Sequence, residues 1–509
     1  MATLALAQDS AFGQPLESQL RSCLLSAAIC EAAGVDAADR ETAYWISLLR
    51  YVGCTGHARE VSSVFGDDVA AFAATLVMDA ANPAEVGPLM VAAATAGRPP
   101  EQHEAITRAI VEGGHQWSIG NFSIGCEVGG MLIERLHLGA AVETAFAFTY
   151  ERWNGLGYPR GAAGEAIPLA MRVVHLAQDM EAIARRQSPA AAVAAAAERR
   201  DRTYDPALAD LFAANGLAWL ADLDNVDPWD AVLALEPVPS RLLEGAALDD
   251  ALLVVADFVD LKSPFTTGHS RRCASLAADA ARAAGLADDD VTRLTRAALV
   301  HELGMTGIPL SIMDKPGPLT RAERDRVQVH PLVTTQVLRR APLLARLGTI
   351  AGAHHERADG SGYHRGLTGQ ATDPGARILA AVDVYVGLTA DRADRPAFTP
   401  EAAAAEVRNL GGQGLLDGPA AEAVLSAAGH GSVRVAPRGR ASLPGGLSHR
   451  EVEVLRLMAR GLTTREIADR LFISPKTADH HVQHVYTKID VTTRAAAALW
   501  AMDRGLLSA

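Results

Sequence analysis

Seven histidine and carboxylate side chains in the later half of this 509-residue chain are the residues best suited to chemistry. Two of the histidines are adjacent, in the stretch HHERADGSGYHRG from His354 to Gly366. The full set comprises His269, His301, Glu302, His330, His354, His355 and Asp383. Imidazole and carboxylate ligands together accommodate iron, manganese or zinc, so the set predicts a pair of divalent metal ions. Adjacent residues of a helix point about 100° apart, so a helical histidine pair can serve two ions, or one ion and a phosphate.

An internal repeat indicates that these residues act as one site. Gly53 lies 251 residues before Gly304 within similar sequences, and Glu151–Gly161 matches Glu356–Gly366 at an offset of 205. At the same offsets the earlier copy carries Ser18, Arg50, Tyr51, Gly125, Thr149, Tyr150 and Gln178. A lone histidine in a helical bundle is more often a core or surface residue, but the joint absence of all seven favours metal binding by the later copy only. The earlier copy is then a packing or dimerisation partner, or a ligand-binding relic.

Helices must position these side chains, since both copies combine helical spacing of apolar residues with little alternation. Both copies are also rich in Ala, Leu, Arg and Glu. These residues suit helices. We therefore expect an all-α fold, with one helical bundle over residues 16–221 and another over residues 242–430. Residues 222–241 contain the sequences DNVDPWD and EPVPS and are the expected linker.

The carboxyl end has a helical pattern of its own. Capping boxes of the form S/T-x-x-E open helices at Ser448 and Thr463, and Ser474 is the N-cap of a third helix whose first residue is proline. The apolar stripe of that third helix consists of Ala478, Val482, Val485 and Ile489. A fourth helix is expected from about Thr493 to Arg504.

The tail sequence LSHREVEVLRLMARGLTTREIADRLFISPKTADHHVQHVYTKI resembles the LuxR-type helix-turn-helix. The resemblance implies a four-helix DNA-binding domain over residues 447–509, after a linker at 431–446, with a dimer contact made by the fourth helix. Double-stranded DNA is the expected partner of a homodimer, because recognition helices address half-sites about 34 Å apart. From Gly431 onward twelve Lys and Arg face seven Asp and Glu, although the whole chain has a net charge of −13. The local positive excess favours nucleic-acid binding by the tail.

The polar face of the third tail helix is the predicted DNA-contacting surface. Early residues of a recognition helix contact base edges, which assigns bases to Asp479, His480 and Gln483. Flanking residues contact the DNA backbone, which assigns phosphates to Thr464, Lys476, Thr477, His484 and Lys488. Asp479 would accept a hydrogen bond from a cytosine amine, because an acidic group is otherwise repelled by phosphates.

The later copy contains HELG, the histidine of VHP, HHERADGSGY and RILAAVDVY, which resemble the motifs of the HD-GYP phosphohydrolases, a branch of the HD superfamily that hydrolyses cyclic di-GMP. The resemblance covers about Leu242 to His430, with a degenerate version over about Leu16 to Leu220. It implies that the seven residues bind two metal ions bridged by Glu302, and that a metal-bound hydroxide at Glu302 and Asp383 attacks phosphorus. The residues implied to face the nucleotide are Gly360, Gly362, Tyr363, Arg365, Arg392 and Arg395.

Three positions depart from the family pattern. Glu302 replaces the aspartate of the HD pair, Met305 replaces a lysine, and His364 replaces the proline of the GYP turn. Loss of the lysine removes a cation that would stabilise phosphate charge. We therefore favour a DNA-binding transcriptional regulator whose HD-GYP-like region binds divalent metal and senses, or slowly hydrolyses, a cyclic dinucleotide or another phosphorylated small molecule. The alternative is a metal-dependent cyclic di-GMP phosphodiesterase with an accessory DNA-binding domain.

Composition sets wider limits on the protein. With 49% hydrophobic and 21% charged residues the chain is globular, and no stretch is apolar enough for a signal peptide or a membrane span. We therefore expect a cytoplasmic protein without a membrane partner. The five cysteines are odd in number and scattered, which argues against a disulfide framework or a zinc ribbon and favours small buried side chains.

Overall fold

The computed structural model describes residues 1–79, 81–96, 98–237, 243–430 and 443–507. Within these ranges the chain is helical, with four isolated β-bridges and no strand, which confirms the predicted all-α fold. None of the described helices is both long and apolar enough to pass through a bilayer. Contacts between Cα atoms divide the chain into two units, Met1–Leu243 and Glu244–Ala509. Residues 238–241 of the first expected linker and 431–442 of the second lie outside the described ranges.

The first unit is built around α2, which packs against α3 and α9. Most residues of α9 are buried, so this helix forms the centre of the unit. The helices of the unit are α1 (Ala2–Ala11), α2 (Ser18–Ala32), α3 (Ala37–Leu49), α4 (Ala58–Phe65), α5 (Asp68–Thr75), α6 (Pro83–Thr95), α7 (Pro100–Glu134), α8 (Ala140–Phe146), α9 (Leu169–Arg186), α10 (Pro189–Glu198), α11 (Pro206–Asp222) and α12 (Pro228–Ala234).

The second unit has a similar centre, in which α14 packs against α15 and α20. The buried face of α14 consists largely of alanines, and small side chains allow two helix axes to approach closely. The helices before the tail are α13 (Gly245–Asp260), α14 (His269–Ala283), α15 (Asp288–Val300), α16 (Leu310–Met313), α17 (Arg321–Gln328), α18 (His330–Leu338), α19 (Pro342–Ala351), α20 (Pro374–Leu388), α21 (Pro400–Gly412) and α22 (Gly418–Leu425).

The tail contains the four predicted helices, α23 (His449–Ala459), α24 (Thr464–Leu471), α25 (Pro475–Ile489) and α26 (Arg494–Asp503). Both predicted capping boxes are present. The Ser448 hydroxyl accepts a hydrogen bond from the N–H of Glu451, the Thr463 hydroxyl accepts one from the N–H of Glu466, and each glutamate accepts one from the N–H of its cap residue. Ser474 caps α25 through its hydroxyl, as predicted.

The repeat offsets recur in the bounds of the helices. α14 begins and ends 251 residues after α2, and α15 begins and ends 251 residues after α3. One isolated bridge joins Asn154 to Ala163, and another, 205 residues later, joins Asp359 to Thr368. The two units therefore share local structure at the positions that their sequences share.

A glycine allows a close backbone approach at the same position of both units. A Cβ on Gly53 would overlap the carbonyl oxygen of Gly125, and a Cβ on Gly304 would overlap that of His330. Only glycine lacks the Cβ, so it fits such a crossing. In the second unit this crossing brings the first residue of α18 next to the segment that follows α15.

Candidate metal centre and DNA-binding face

Two groups of ligand side chains lie in the second unit. Within each group the ligand atoms all lie within 4.8 Å of one another. One group contains His269, Cys273, His301 and Asp383, and the other contains Glu302, His330, His354 and His355. The structure thus brings the seven residues singled out from the sequence into these two groups and adds Cys273. The two groups are neighbours because His301 and Glu302 are consecutive.

Helix ends position most of these side chains. His269 is the first residue of α14 and His330 is the first residue of α18. His301 and Glu302 directly follow the last residue of α15, whereas Asp383 lies inside α20. Because α14 packs against both α15 and α20, side chains from these three helices meet at one place.

The adjacent histidines lie in the turn after α19, so their expected placement on a helix is wrong. Nδ1 of His354 lies 2.6 Å from the carbonyl oxygen of Ala351. The imidazole thereby takes the carbonyl that a continued helix would offer to the N–H of His355. The two ring centroids are 4.1 Å apart, with an angle of 44° between the planes, and both residues belong to the same ligand group.

Three imidazoles are oriented by the backbone in the same way. Nδ1 of His301, His330 and His354 lies 2.8, 2.7 and 2.6 Å, respectively, from the carbonyl oxygen three residues earlier. A carbonyl oxygen only accepts, so Nδ1 is the donor in each pair. This arrangement leaves the Nε2 lone pair of each ring for a metal ion, as is usual for metal-binding histidines.

The distances between ligand atoms fit divalent ions. Two atoms bound to one ion at about 2.0–2.2 Å lie roughly 3 Å apart. Nε2 of His330 and Nε2 of His354 are 3.1 Å apart, and Nε2 of His269 lies 3.2 Å from Oδ1 of Asp383. Nε2 of His301 is buried without a hydrogen-bond partner among the described residues. Buried polar atoms are rarely left unsatisfied, so the residues present fit a pair of metal ions.

Both carboxylates of the centre stay ionised. Desolvation alone would raise the pKa of Asp383, but hydrogen bonds from His269 and His301 hold that pKa well below its usual range. The pKa of Glu302 is also lowered, because the charges of His330 and His301 outweigh desolvation. Oε2 of Glu302 lies 3.4 Å from Nε2 of His330. Ionised carboxylates are the form that binds metal.

The imidazoles fall into two classes. Desolvation by itself lowers the pKa of His269, yet the Cys273 thiol and the Asp383 carboxylate raise it to about 10. Desolvation and neighbouring imidazoles instead hold the pKa values of His354 and His355 well below the usual histidine value. The latter two side chains are therefore neutral near pH 7, which is the form that ligates a metal ion.

A buried glutamate that the motifs did not indicate holds the loop after the adjacent histidines. Glu356 accepts hydrogen bonds from the N–H groups of Arg365 (2.9 Å) and Leu367 (2.7 Å). Glu151 does the same in the first unit, with the N–H groups nine and eleven residues later, at 2.8 and 2.9 Å. The match of a glutamate at the first position of both repeats was the available sequence signal.

Of the residues implied to face a nucleotide, those in this loop lie beside the centre. The Tyr363 ring centroid is 4.8 Å from that of His355. Gly360 and Gly362 flank the loop turn, and a Cβ on Gly362 would overlap the backbone at the loop's start. Arg365 is exposed.

The other two arginines lie after α20. Arg395 donates hydrogen bonds to the carbonyls of Gly387 (2.7 Å) and Leu388 (3.3 Å), which are among the last carbonyls of that helix. Arg392 is half-buried, and its N–H bonds the carbonyl of Arg395 at 2.8 Å. The Arg395 guanidinium therefore supports the end of α20 in this structure.

Met305 lies in a short 3-10 turn, Leu303–Gly307, directly after Glu302. A lysine does contact this turn, because the Lys262 ammonium donates a hydrogen bond to the carbonyl of Thr306 at 2.5 Å. Lys262 is only 2% exposed, so its charge is held against the backbone.

In the first unit an arginine stands where the second unit has His301. Arg50 is 2% exposed, donates a hydrogen bond to Oε1 of Gln178 at 2.7 Å and lies 3.6 Å from Oδ1 of Asp179. Gln178 is the residue that matches Asp383. A guanidinium paired with amide and carboxylate oxygens thus occupies this position.

The predicted recognition helix α25 has one buried and one exposed face. Its apolar stripe of Ala478, Val482, Val485 and Ile489 is buried, as predicted. The predicted DNA-contacting residues on its exposed face are Lys476, Thr477, Asp479, His480, Gln483, His484 and Lys488. The rings of His480 and His484 lie side by side, with centroids 4.1 Å apart.

Two of the predicted phosphate contacts also have partners within the tail. Nζ of Lys488 lies 2.7 Å from Oε2 of Glu451, the glutamate of the first capping box. Thr464 is half-buried, and its hydroxyl accepts a hydrogen bond from Arg494 at 3.1 Å. These side chains thus also hold α23, α25 and α26 in place.

The tail contacts α14, the helix that begins with His269. Arg271 donates a hydrogen bond to Oδ1 of Asp503, the last residue of α26, at 2.7 Å. A Cβ on Gly268 would lie 3.7 Å from Cγ of Met502. The helix that the LuxR resemblance assigns to a dimer contact therefore lies against the helix that carries a metal ligand.

Comparisons with known proteins agree with these features. The family described as "HD domain" matches residues 126–208 and 253–419, and the family described as "Bacterial regulatory proteins, luxR family" matches residues 446–501. The chain is 30% identical over 401 residues to the 3'3'-cGAMP-specific phosphodiesterase 3 of Vibrio cholerae, an alignment that covers 78% of this chain and 87% of the relative. It is 34% identical over 158 residues to a cyclic di-GMP phosphodiesterase response regulator of Xanthomonas campestris, covering 31% and 42% of the two chains.

A solved structure gives the same relationship. The crystal structure of a cyclic GMP-AMP specific phosphodiesterase of Vibrio cholerae superposes with a TM-score of 0.58 at 26% identity, covering 84% of this chain and 96% of the other. The match thus extends over most of both chains. The chain belongs to the HD-domain family and carries a LuxR-family domain at its carboxyl end.

Proposed function

We propose that this protein binds and hydrolyses a 3'3'-linked cyclic dinucleotide at a divalent metal pair in its second unit, and that the state of this site controls DNA binding by the tail. The observation that carries the proposal is the convergence of the seven ligand side chains. The substrate class is suggested by the relative that aligns with most of the chain, a 3'3'-cGAMP-specific phosphodiesterase.

The residues of the chain have distinct tasks in this proposal. The metal ions would be held by His269, His301, Glu302, His330, His354, His355 and Asp383. When bound, such ions supply Lewis acidity to phosphate oxygens and water. Glu302 and Asp383 contribute fixed negative charge, since their pKa values are lowered. The Tyr363 ring, beside His355, is placed to pack against the nucleotide.

We infer that the two units are diverged copies and that the metal pair belongs to the second unit alone. Equal offsets relate their helices, their bridges and their glutamate-held loops. In the first unit the buried Arg50 guanidinium stands at the position of His301. A fixed cation there opposes metal binding, because like charges repel at short distance.

The regulatory part of the proposal is supported by α14. His269 begins this helix, and Arg271 pairs with Asp503 of the LuxR-family domain at 2.7 Å. A change at the metal centre that moves the start of α14 would alter this ion pair. Double-stranded DNA, bound by the exposed face of α25 in a homodimer, is the expected target.

Hydrolysis is tested with purified protein loaded with iron, manganese or zinc and incubated with 3'3'-cGAMP or cyclic di-GMP. We expect a linear dinucleotide product, and we expect His330→Ala and His354→Ala each to reduce both bound metal and turnover by about a hundredfold or more. His449→Ala, which removes an exposed tail histidine, is the matched control and leaves both unchanged.

Full metal loading with tight dinucleotide binding but no product would refute the hydrolase proposal. It would favour the second candidate, a sensor without turnover, which is motivated by Met305 in place of the family's lysine. Absence of bound metal in the wild-type protein would contradict both candidates.

A further inference from the structure

We propose that Cys273 is a ligand of the metal ion held by His269, His301 and Asp383, so that this half of the centre takes a thiophilic divalent ion. The proposal rests on the metal centre of the proposed function and adds to it a ligand and a metal preference.

The position of the thiol is that of a ligand. Cys273 lies four residues after His269 on α14, so both side chains lie on one face of the helix. Its Sγ atom lies 3.5 Å from Nε2 of His269. In a tetrahedral site, bonds of about 2.3 Å to sulfur and about 2.0–2.1 Å to nitrogen place these two atoms about 3.5 Å apart.

The other members of the group complete such a site. The ligand atoms of His269, Cys273, His301 and Asp383 all lie within 4.8 Å of one another, which gives two nitrogens, one sulfur and one oxygen. Nε2 of His301 is buried and has no hydrogen-bond partner among the described residues. A metal ion bound by the four atoms would satisfy it.

The surroundings of Cys273 differ from those of the other thiols. All five cysteines are free, and the other four lie in the first unit. Burial raises the pKa of Cys54 to about 12 and likewise raises that of Cys126 to about 12. Burial alone would also raise the pKa of Cys273, but His269 and His301 lower it overall. The thiolate is the form that binds metal.

A sulfur ligand makes the two halves of the centre chemically different. The group of Glu302, His330, His354 and His355 offers only nitrogen and oxygen. Thiolate favours zinc and iron over magnesium, calcium or manganese, which prefer oxygen ligands. We therefore expect the half that contains Cys273 to retain zinc, iron(II) or cobalt(II) when magnesium is in excess.

Cobalt(II) binding to the full chain tests the inference, because a thiolate bound to cobalt gives an intense charge-transfer absorption in the near ultraviolet. We expect wild-type protein to show this band, and Cys273→Ser to lose it together with about tenfold or more of its affinity for one of two cobalt ions. Cys126→Ser, which removes a half-buried thiol of the first unit, is the matched control and keeps the band.

X-ray absorption of the zinc-loaded protein gives a second readout, with a sulfur scatterer expected at about 2.3 Å in the wild type and absent in Cys273→Ser. Two bound ions with no charge-transfer band and no sulfur scatterer would overturn the inference while leaving the proposed function intact. A band that persists in Cys273→Ser would also overturn it. Wild-type protein that binds no cobalt or zinc would overturn the inference and the proposed function together.

Discussion

Single residues of this protein act mainly through buried charge that is matched by hydrogen bonds. In the metal centre, backbone carbonyls orient His301, His330 and His354, and imidazoles keep Asp383 ionised. Beside it, Glu356 is 4% exposed and is satisfied by two N–H groups of its loop. A buried carboxylate in such a position is costly to change, because its partners lose a charged acceptor.

Glu356→Gln should destabilise the loop, because an amide offers one oxygen acceptor where the carboxylate offered two. We expect a loss of about 2 kcal/mol of unfolding free energy, together with lower turnover, since Tyr363 is in the same loop. Glu151→Gln is the matched variant in the first unit and should cost similar stability without changing turnover. Urea unfolding and product formation measure the two effects, and equal turnover in both variants would contradict the expected role.

The Glu451–Lys488 pair should make the stability of the tail depend on pH. Desolvation raises the pKa of Glu451, but hydrogen bonds from Lys488 and Ser448 lower it overall to about 2. A pKa lowered in the folded state contributes stability above the unfolded value of about 4.3, and this contribution is lost as pH falls towards 2. Hydrogen exchange of α23 and α25 should therefore accelerate between about pH 4 and pH 2. Lys488→Met should weaken this dependence, and an unchanged pH profile would contradict the assignment.

Among the helices, α25 shows most directly how local sequence gives a functional surface. Proline at its first position and the Ser474 cap fix its start, and the buried stripe fixes its rotation. The polar residues between the stripe positions are thereby exposed. Such a helix, with its early residues at base edges and its flanks at phosphates, gives separable effects on DNA affinity.

Gln483→Ala and Lys476→Ala should weaken DNA binding in different ways. Loss of Gln483 should cost about 1–3 kcal/mol on the preferred duplex and little on random DNA, because it removes a base contact. Loss of Lys476 should weaken both complexes and reduce the salt slope of the binding constant by about 1. Fluorescence anisotropy on a duplex selected by repeated binding, measured over a salt series, separates the two. Equal losses on selected and random DNA for Gln483→Ala would contradict base contact.

In the molecule as a whole, charge and contact suggest how a metal-binding bundle and a DNA-binding tail serve one function. The net charge is −13, although the residues from Gly431 onward have a local positive excess. Within the second unit the tail meets α14 through Arg271 and Asp503, and Arg460 lies 3.6 Å from Asp391. The contact gives the state of the metal centre a physical route to the tail.

Asp503→Asn should uncouple DNA binding from the metal centre, because it removes the charge that pairs with Arg271. In wild-type protein we expect metal and cyclic dinucleotide to change DNA affinity by about fivefold or more. In Asp503→Asn this change should disappear, while metal content and turnover remain. Asp469→Asn, an exposed residue of α24, is the charge-matched control. DNA affinity that still responds to the dinucleotide in Asp503→Asn would refute this route.

Local spacing was sufficient to predict the all-α fold, the capped helices of the tail and the buried stripe of α25. Those features depend on residues within one or two turns of each other, so periodicity and capping express them directly. The set of seven ligands was also accessible, because the repeat contrasts each ligand with a different residue at the same offset.

Tertiary packing decided the remaining features. Cys273 joins the centre because α14 packs against α15 and α20, and Lys488 meets Glu451 because α25 packs against α23. His354 lies in a turn because its imidazole takes the carbonyl of Ala351. Each of these contacts joins side chains whose distance depends on how helices pack or end, and no spacing along one helix encodes that distance.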